Sequence, residues 1–342
     1  MNKLAPFLVL AACALACAGA AYGRQASNSI VPSVTINTAT GQTLMTLKTS
    51  ELSVVPEQSV TVSIKGVPTV EKGPSLQALL TFAGVSFNSA CRNDELRWWY
   101  EVSSSTGAAV VLTAGEIDPL FGNRPAILSI NEGGNFLTSS GPKLIVPNDS
   151  GQRNIPNVAV ITVGRAPAQL ASTTPACSPT VALSSAPPVG SIQVNGAVSA
   201  PATFSYSQLQ AMPQANQTVS FLNGATPVTN TESGPTLASV IAAAKPKYVA
   251  CDPTDNLRFY AAVTSSIDGY TALVSFPEFD PSVNNVQQLL SLVENGSSLA
   301  NIGPRNTVPG DVRGGRYVSG GAVVTVFRAP TEVPIPSCRE KA

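Results

Sequence analysis

This chain contains the same unit twice. Gly73-Pro74-Ser75-Leu76 returns as Gly234-Pro235-Thr236-Leu237, 161 residues on (234 − 73), and Leu96-Arg97-Trp98-Trp99 returns as Leu257-Arg258-Phe259-Tyr260 at the same spacing. Glu116-Ile117-Asp118-Pro119 matches Glu278-Phe279-Asp280-Pro281 at 162, as do Gly141-Pro142 with Gly303-Pro304, and Val146-Pro147 and Asp149 with Val308-Pro309 and Asp311. Arg165-Ala166-Pro167 matches Arg328-Ala329-Pro330 at 163. A long period that drifts so little means two homologous units separated by single-residue loop insertions. The expected organisation is a first domain over 30–165, an Ala/Pro/Ser/Thr-rich connector over 166–188, and a second domain over 189–342. That connector composition favours semi-rigid extended chain, which would hold two independent cores at a set distance.

Within each unit the pattern is strand-rich. Val60, Val62 and Ile64 alternate with polar neighbours, the period of a half-buried strand. Leu76, Leu79, Leu80 and Ala83 have helical spacing behind Ser75 as cap, and Leu237, Val240, Ile241 and Ala244 repeat it behind Thr236. Val286, Leu289, Leu290 and Val293 share one helical face between Asp280-Pro281-Ser282 and Asn295-Gly296, which predicts a further short helix. The apolar runs 158–163 and 322–327 read as buried closing strands. The fold class is α+β, β-dominant.

Charge excludes several functions. With 20 Lys+Arg against 20 Asp+Glu the chain has no net charge to attract nucleic acid or an anionic membrane. It contains no histidine, so neither Ser-His-acid nor Cys-His catalysis nor an imidazole metal site is available. Residues 1–20 read as an export signal: Lys3, an apolar run over 4–15 and Ala18-Gly19-Ala20 for cleavage. Leu10-Ala11-Ala12-Cys13 also fits a lipidation signal, which would anchor the chain through Cys13. No later segment is long and apolar enough for a transmembrane span. The expected location is therefore periplasmic or secreted, with an outer-membrane lipoprotein as the alternative.

The cysteines beyond the leader repeat as well. Cys91 and Cys251 each follow the first helix of a unit, and Cys177 and Cys338 each follow its last strand. Repeat equivalence pairs Cys91 with Cys177 and Cys251 with Cys338, one disulfide per domain, as suits an oxidising compartment. Closing loops of this length stabilises by roughly 4 kcal/mol in the chain-entropy model. A redox pair or thiolate metal site is the other reading, but no Cys-x-x-Cys is present.

Several of these motifs together resemble the molybdopterin-binding domain of the sulfite oxidase family. They are Gly-Pro-Ser/Thr-Leu opening a helix, Asp268-Gly269-Tyr270, Glu278, Glu294-Asn295-Gly296, Leu299, Gly303-Pro304, and Val308-Pro309 before a last strand. The first unit keeps Gly141-Pro142-Lys143-Leu144-Ile145-Val146-Pro147, with Thr106-Gly107 in place of Asp-Gly-Tyr. The resemblance covers most of each unit and implies two tandem domains of that mixed fold. In active members it implies molybdenum held by a pterin dithiolene and one cysteine thiolate upstream of the Gly-x-x-Leu helix. Here that stretch, 59–71 and 218–231, contains no cysteine, and the cations that could grip a pterin phosphate are sparse: Lys65 and Lys72 in the first unit, none in the matching stretch of the second. Soft thiolate is what holds the metal. No cofactor is therefore expected; molybdopterin belongs to the alternative, a divergent periplasmic oxidoreductase.

The residues that could bind a ligand are Arg97, Trp99, Arg258 and Tyr260, an aromatic and cationic platform; Asp268 and Tyr270; and Arg153 and Arg316 in charged loops with Asp149 and Asp311. The bland reading packs the aromatics into the core, pairs the loop charges at the surface, and gives Glu116, Asp118, Glu278 and Asp280 a capping role. No catalytic residue and no metal ligand is assigned. The reading is an exported, non-catalytic binding or scaffolding protein whose partner is a small molecule or an envelope protein, with an extracellular adhesion role as a further possibility.

Overall fold

A computed structural model describes residues 32–64, 66–167 and 186–330. The leader with Cys13, Lys65, most of the connector with Cys177, and the tail with Cys338 lie outside the described residues. The first half contains β1 (Ser33–Thr38), β2 (Thr43–Lys48), β3 (Glu57–Ile64), β4 (Val67–Pro74), α1 (Leu76–Phe82), β5 (Trp98–Ser104), β6 (Ala109–Thr113) and α2 (Ala114–Ile117). It continues through β7 (Ile127–Ser129), β8 (Asn131–Glu132), β9 (Asn135–Phe136), β10 (Lys143–Ile145) and β11 (Val158–Arg165). The second half runs β12 (Ile192–Gly196), β13 (Ala202–Phe204), α3 (Tyr206–Ala211), β14 (Gln214–Asn223), β15 (Thr226–Pro235), α4 (Leu237–Ala243), β16 (Phe259–Ser265), β17 (Thr271–Ser275) and α5 (Phe276–Phe279). It closes with β18 (Leu289–Ser291), β19 (Val293–Glu294), β20 (Ser297–Ser298), β21 (Arg305–Thr307) and β22 (Gly321–Arg328).

The class is α+β with β dominant, and every sheet of one half has its counterpart in the other. Five-stranded sheets run β2-β1-β11-β5-β6 and β13-β12-β22-β16-β17; four-stranded sheets run β3-β4-β8-β9 and β14-β15-β19-β20; two-stranded pairs are β10-β7 and β18-β21. The closing strand lies parallel to the first strand in both large sheets, β11 along β1 and β22 along β12. The helix caps form as the sequence predicts: Ser75 Oγ accepts from Ala78 N at 3.1 Å, and Thr236 Oγ1 from Ser239 N at 3.1 Å. Leu76, Leu79 and Leu80 are buried from α1, each worth roughly 1.5–3 kcal/mol of transfer free energy.

Two expectations give way. The helix expected over 282–296 is absent because Asn285 turns the chain with φ 58°, its N–H bonded to Asp280 O at 3.0 Å. Beyond that turn Leu289 and Leu290 are fully buried in β18, which pairs antiparallel with β21. Nor do the halves form two separate cores, since the described residues of both fall in one compact unit. Leu96 and Phe121 of the first half pack into the second half's core, while Leu257 and Val283 of the second pack into the first half's. Leu257 is the repeat equivalent of Leu96 and Val283 that of Phe121, so the exchange is reciprocal. Backbone bonds follow the same rule: Ser150 N donates to Val283 O at 3.0 Å and Val312 N to Phe121 O at 2.8 Å. One patch meets its own copy, as in an isologous dimer.

Candidate functional site at the junction of the halves

Most of the residues that the sequence singles out converge on this junction. A third apolar cluster straddles it, with Trp99, Val111 and Ala166 from one side and Tyr260, Ala262, Leu273 and Ala329 from the other. Trp99 and Tyr260 stack with ring centroids 5.4 Å apart, and Phe327 stacks on Tyr260 at 5.1 Å. Trp99 has Gly164 beside it on β11, where Phe327 stands opposite Tyr260 on β22. A Cβ added to Gly164 would lie 2.2 Å from the indole, so glycine makes the space that the stack occupies. Both aromatic rings are buried, 4% exposed each. Arg97 and Arg258 are buried beside them, donating to Ala166 O at 3.1 Å and, across the junction, to Gly107 O at 2.8 Å. Burial and the nearby Arg165 pull the Arg97 guanidinium down to about 10.

An ionic lattice lies alongside, and its guanidiniums are buried rather than at the surface. Arg153 and Arg316 are 0% exposed. Arg153 grips Asp149 through Nε and Nη2 and reaches Glu116 Oε1 through Nη1 at 2.6 Å. Arg316 grips Asp311 the same way and reaches Glu278 Oε2 through Nη1 at 2.8 Å. Such two-point guanidinium–carboxylate pairs fix geometry as well as charge. The halves are stitched by cross-contacts: Ser275 Oγ donates to Glu116 Oε2 at 2.9 Å and Arg124 Nη1 to Glu278 Oε1 at 3.2 Å. Arg316 threads past first-half glycines, since a Cβ on Gly115 would come within 2.8 Å of its Cδ and one on Gly122 within 2.8 Å of its Nη2.

The two glutamates shift in opposite directions. Burial raises Glu116 above the usual carboxylate range, while Arg316 and Arg124 outweigh burial at Glu278 and hold it below. Asp311 is pushed up to about 6 by burial. The helix-capping role expected for the aspartates fails because turns, not helices, follow them: Asp118 Oδ1 accepts from Leu120 N at 2.7 Å and Asp280 Oδ1 from Ser282 N at 2.8 Å, each closing a local turn. The glutamates instead belong to the lattice.

Asp268 and Tyr270 line a separate polar hollow of about 130 Å³ that Arg92 and Tyr317 share. The Tyr270 hydroxyl donates to Gly315 O at 2.6 Å and accepts from Asn93 Nδ2 at 2.8 Å, with the Arg92 guanidinium 5.5 Å above its ring. Asp268 Oδ1 accepts from Tyr270 N at 3.0 Å, which turns the carboxylate inward to its own loop. Sequence reasoning missed Asn93, Arg124 and Ser275. It also missed Gly115 and Gly122, although glycine there against Pro277 and Asn284 in the second unit was a visible signal.

The residues present do not fit a molybdenum centre of the resembled kind. Cys91 and Cys251 are both disulfide-bonded, so neither supplies a thiolate. Strands β3 and β14, upstream of the capped helices, carry no cysteine. Lys72 is paired with Glu57 at 2.6 Å. Among the described residues no cluster of three or more Cys, Asp or Glu could hold a metal ion, and no helix is long and apolar enough to cross a membrane.

No family model matches this chain, and no curated protein matches it. Among solved structures it is similar to the sulfane dehydrogenase SoxCD from Paracoccus pantotrophus, with 17% identity and a TM-score of 0.32. That likeness covers 40% of this chain and 38% of the other, too little to assign a family or an activity.

Proposed function

We propose that this chain is an exported, non-catalytic binding or scaffolding protein, built from two degenerate domains of the sulfite oxidase-like kind and working in the periplasm or outside the cell. The observation that carries this reading is the ionic lattice: Arg153 and Arg316, each fully buried, contact two carboxylates apiece within their own half, and Ser275 and Arg124 link two of those carboxylates across the junction. Charges engaged in this way are structural, and the sulfurs that could have held a metal are spent in disulfides. The partner on this reading is a small molecule or an envelope protein. A divergent molybdopterin-dependent oxidoreductase is the competing reading. Metal and pterin analysis of protein purified from a molybdenum-replete host separates the two. Protein with no stoichiometric molybdenum supports the scaffold; one molybdenum per chain together with extractable pterin overturns it.

A further inference from the structure

Besides the junction, the second half carries a cleft of about 390 Å³ between α4 and α5. Its walls include Ile241, Lys245, Tyr248, Phe276, Phe279 and Asp280. The duplicated architecture supplies an internal control, because each lining residue has an equivalent in the first half. Tyr248 corresponds to Phe87, each ring meeting the first aromatic of β16 or β5 edge-on, at 5.0 and 5.8 Å. Where the first half has Gln77, whose Nε2 crosses to Asp118 Oδ2 at 2.9 Å, the second has Ala238, which cannot bridge that gap. Asp280 instead takes Asn256 Nδ2 on Oδ2 at 2.9 Å, with Ser282 N and Oγ on Oδ1. Phe276 and Phe279 replace Ala114 and Ile117.

The fourth difference is the most telling. After α1 the chain turns left-handed at Gly84 with φ 86°; after α4 it makes the same turn at Lys245 with φ 56°. A side chain in that conformation costs roughly 1–2 kcal/mol, which glycine avoids. The second half accepts that cost and gains a cation at the rim of the cleft. Lys245 makes no ion pair among the described residues. Asp280, by contrast, already has three donors around its carboxylate. Burial, with Asp280 and Asp255 nearby, pushes the Tyr248 phenol up to about 12, so it stays a neutral donor.

We infer that this cleft binds a small aromatic carboxylate, its ring against Phe276, Phe279 and Tyr248 and its anionic group on Lys245. One bridging side chain removed, two aromatic rings added and one unpaired cation placed at the rim all describe the same ligand. A cleft of this size lies at the small end of ligand pockets. The site is separate from the junction and stands whichever way the molybdenum analysis falls.

The test is titration calorimetry on the full chain with three probes of one shape: 2-naphthoate, 2-naphthylmethanol and 2-naphthylmethylammonium. The expected order is naphthoate tightest and ammonium weakest. Lys245→Gly, which restores the first half's residue at a glycine-favouring turn, should weaken naphthoate by roughly five- to tenfold and leave the alcohol unchanged. Ala238→Gln, again the first half's residue, should abolish binding of all three. If that variant does not fold, Phe279→Ile serves in its place. No binding by any probe, tightest binding by the ammonium, or a Lys245→Gly protein with unaltered naphthoate affinity each overturns the inference.

Discussion

The halves share one topology but use it differently where they meet. Glu116 and Glu278 occupy equivalent places, each on a buried guanidinium, yet Glu278 draws a second cation, Arg124, while Glu116 draws a hydroxyl, Ser275. The equivalents of Arg124 and Ser275 are Val286, which cannot donate, and Thr113, whose buried Oγ1 makes no hydrogen bond, so neither contact has a twin. The two carboxylates shift in opposite directions: burial leaves Glu116 raised above its usual range, while Arg316 and Arg124 outweigh burial and hold Glu278 below it. A duplicated fold fixes where a side chain lies. The groups that gather around it, from both copies, then set which way its pKa moves.

Removing the guanidiniums would break the comparison most severely. Arg153→Leu strands Glu116 with no direct cation, and Arg316→Leu strands Asp311 while Glu278 keeps Arg124. Each should cost roughly 3–5 kcal/mol in urea unfolding, with Arg153→Leu the larger; the reverse order would show that Arg124 does not share the load. Next comes the core exchange. Leu96→Ala and Leu257→Ala should each lose about 3 kcal/mol, because each leaves a cavity in the opposite half's core. Two separate unfolding transitions in either variant would mean that the halves are not energetically joined.

A smaller effect is expected at the stack. Gly164→Ala should cost roughly 1–3 kcal/mol through its clash with Trp99. The smallest effect is on pH. Asp311 is raised from 3.8 to about 6 in the folded state, so the native chain holds a proton that the unfolded chain releases. Its contribution is fully present below pH 4 and is lost as pH rises through 6. Stability should therefore fall as pH rises across that window, and Asp311→Asn should flatten the slope. A wild-type profile that rises there would contradict the raised value.

The repeat, the two capped helices and the closing strands were legible because local signals set them: glycine and proline punctuation, hydroxyl caps, and apolar runs of strand length. The helix expected near Leu289 failed because Asn285 could take a left-handed turn and the leucines had strands to pair with, neither of which periodicity reports. The junction itself was hidden. Leu96, Phe121, Leu257 and Val283 look like ordinary core positions, and nothing in their types says whose core they enter. Arg97, Trp99, Arg258 and Tyr260 stood out as an aromatic and cationic platform, but nothing in the sequence signalled that Trp99 and Tyr260 stack on each other, each the other's repeat. Glu116 and Glu278 read as caps because the guanidiniums that claim them lie 37 and 38 residues further along.

The reciprocal seating of leucine and backbone across the junction changes what the linker is for. With each half completing the other's interior, the halves do not depend on the segment between Pro167 and Ala186 to stay together once folded. A protease that nicked it in the mature particle would give two bands on a reducing denaturing gel and one undivided peak on a native column.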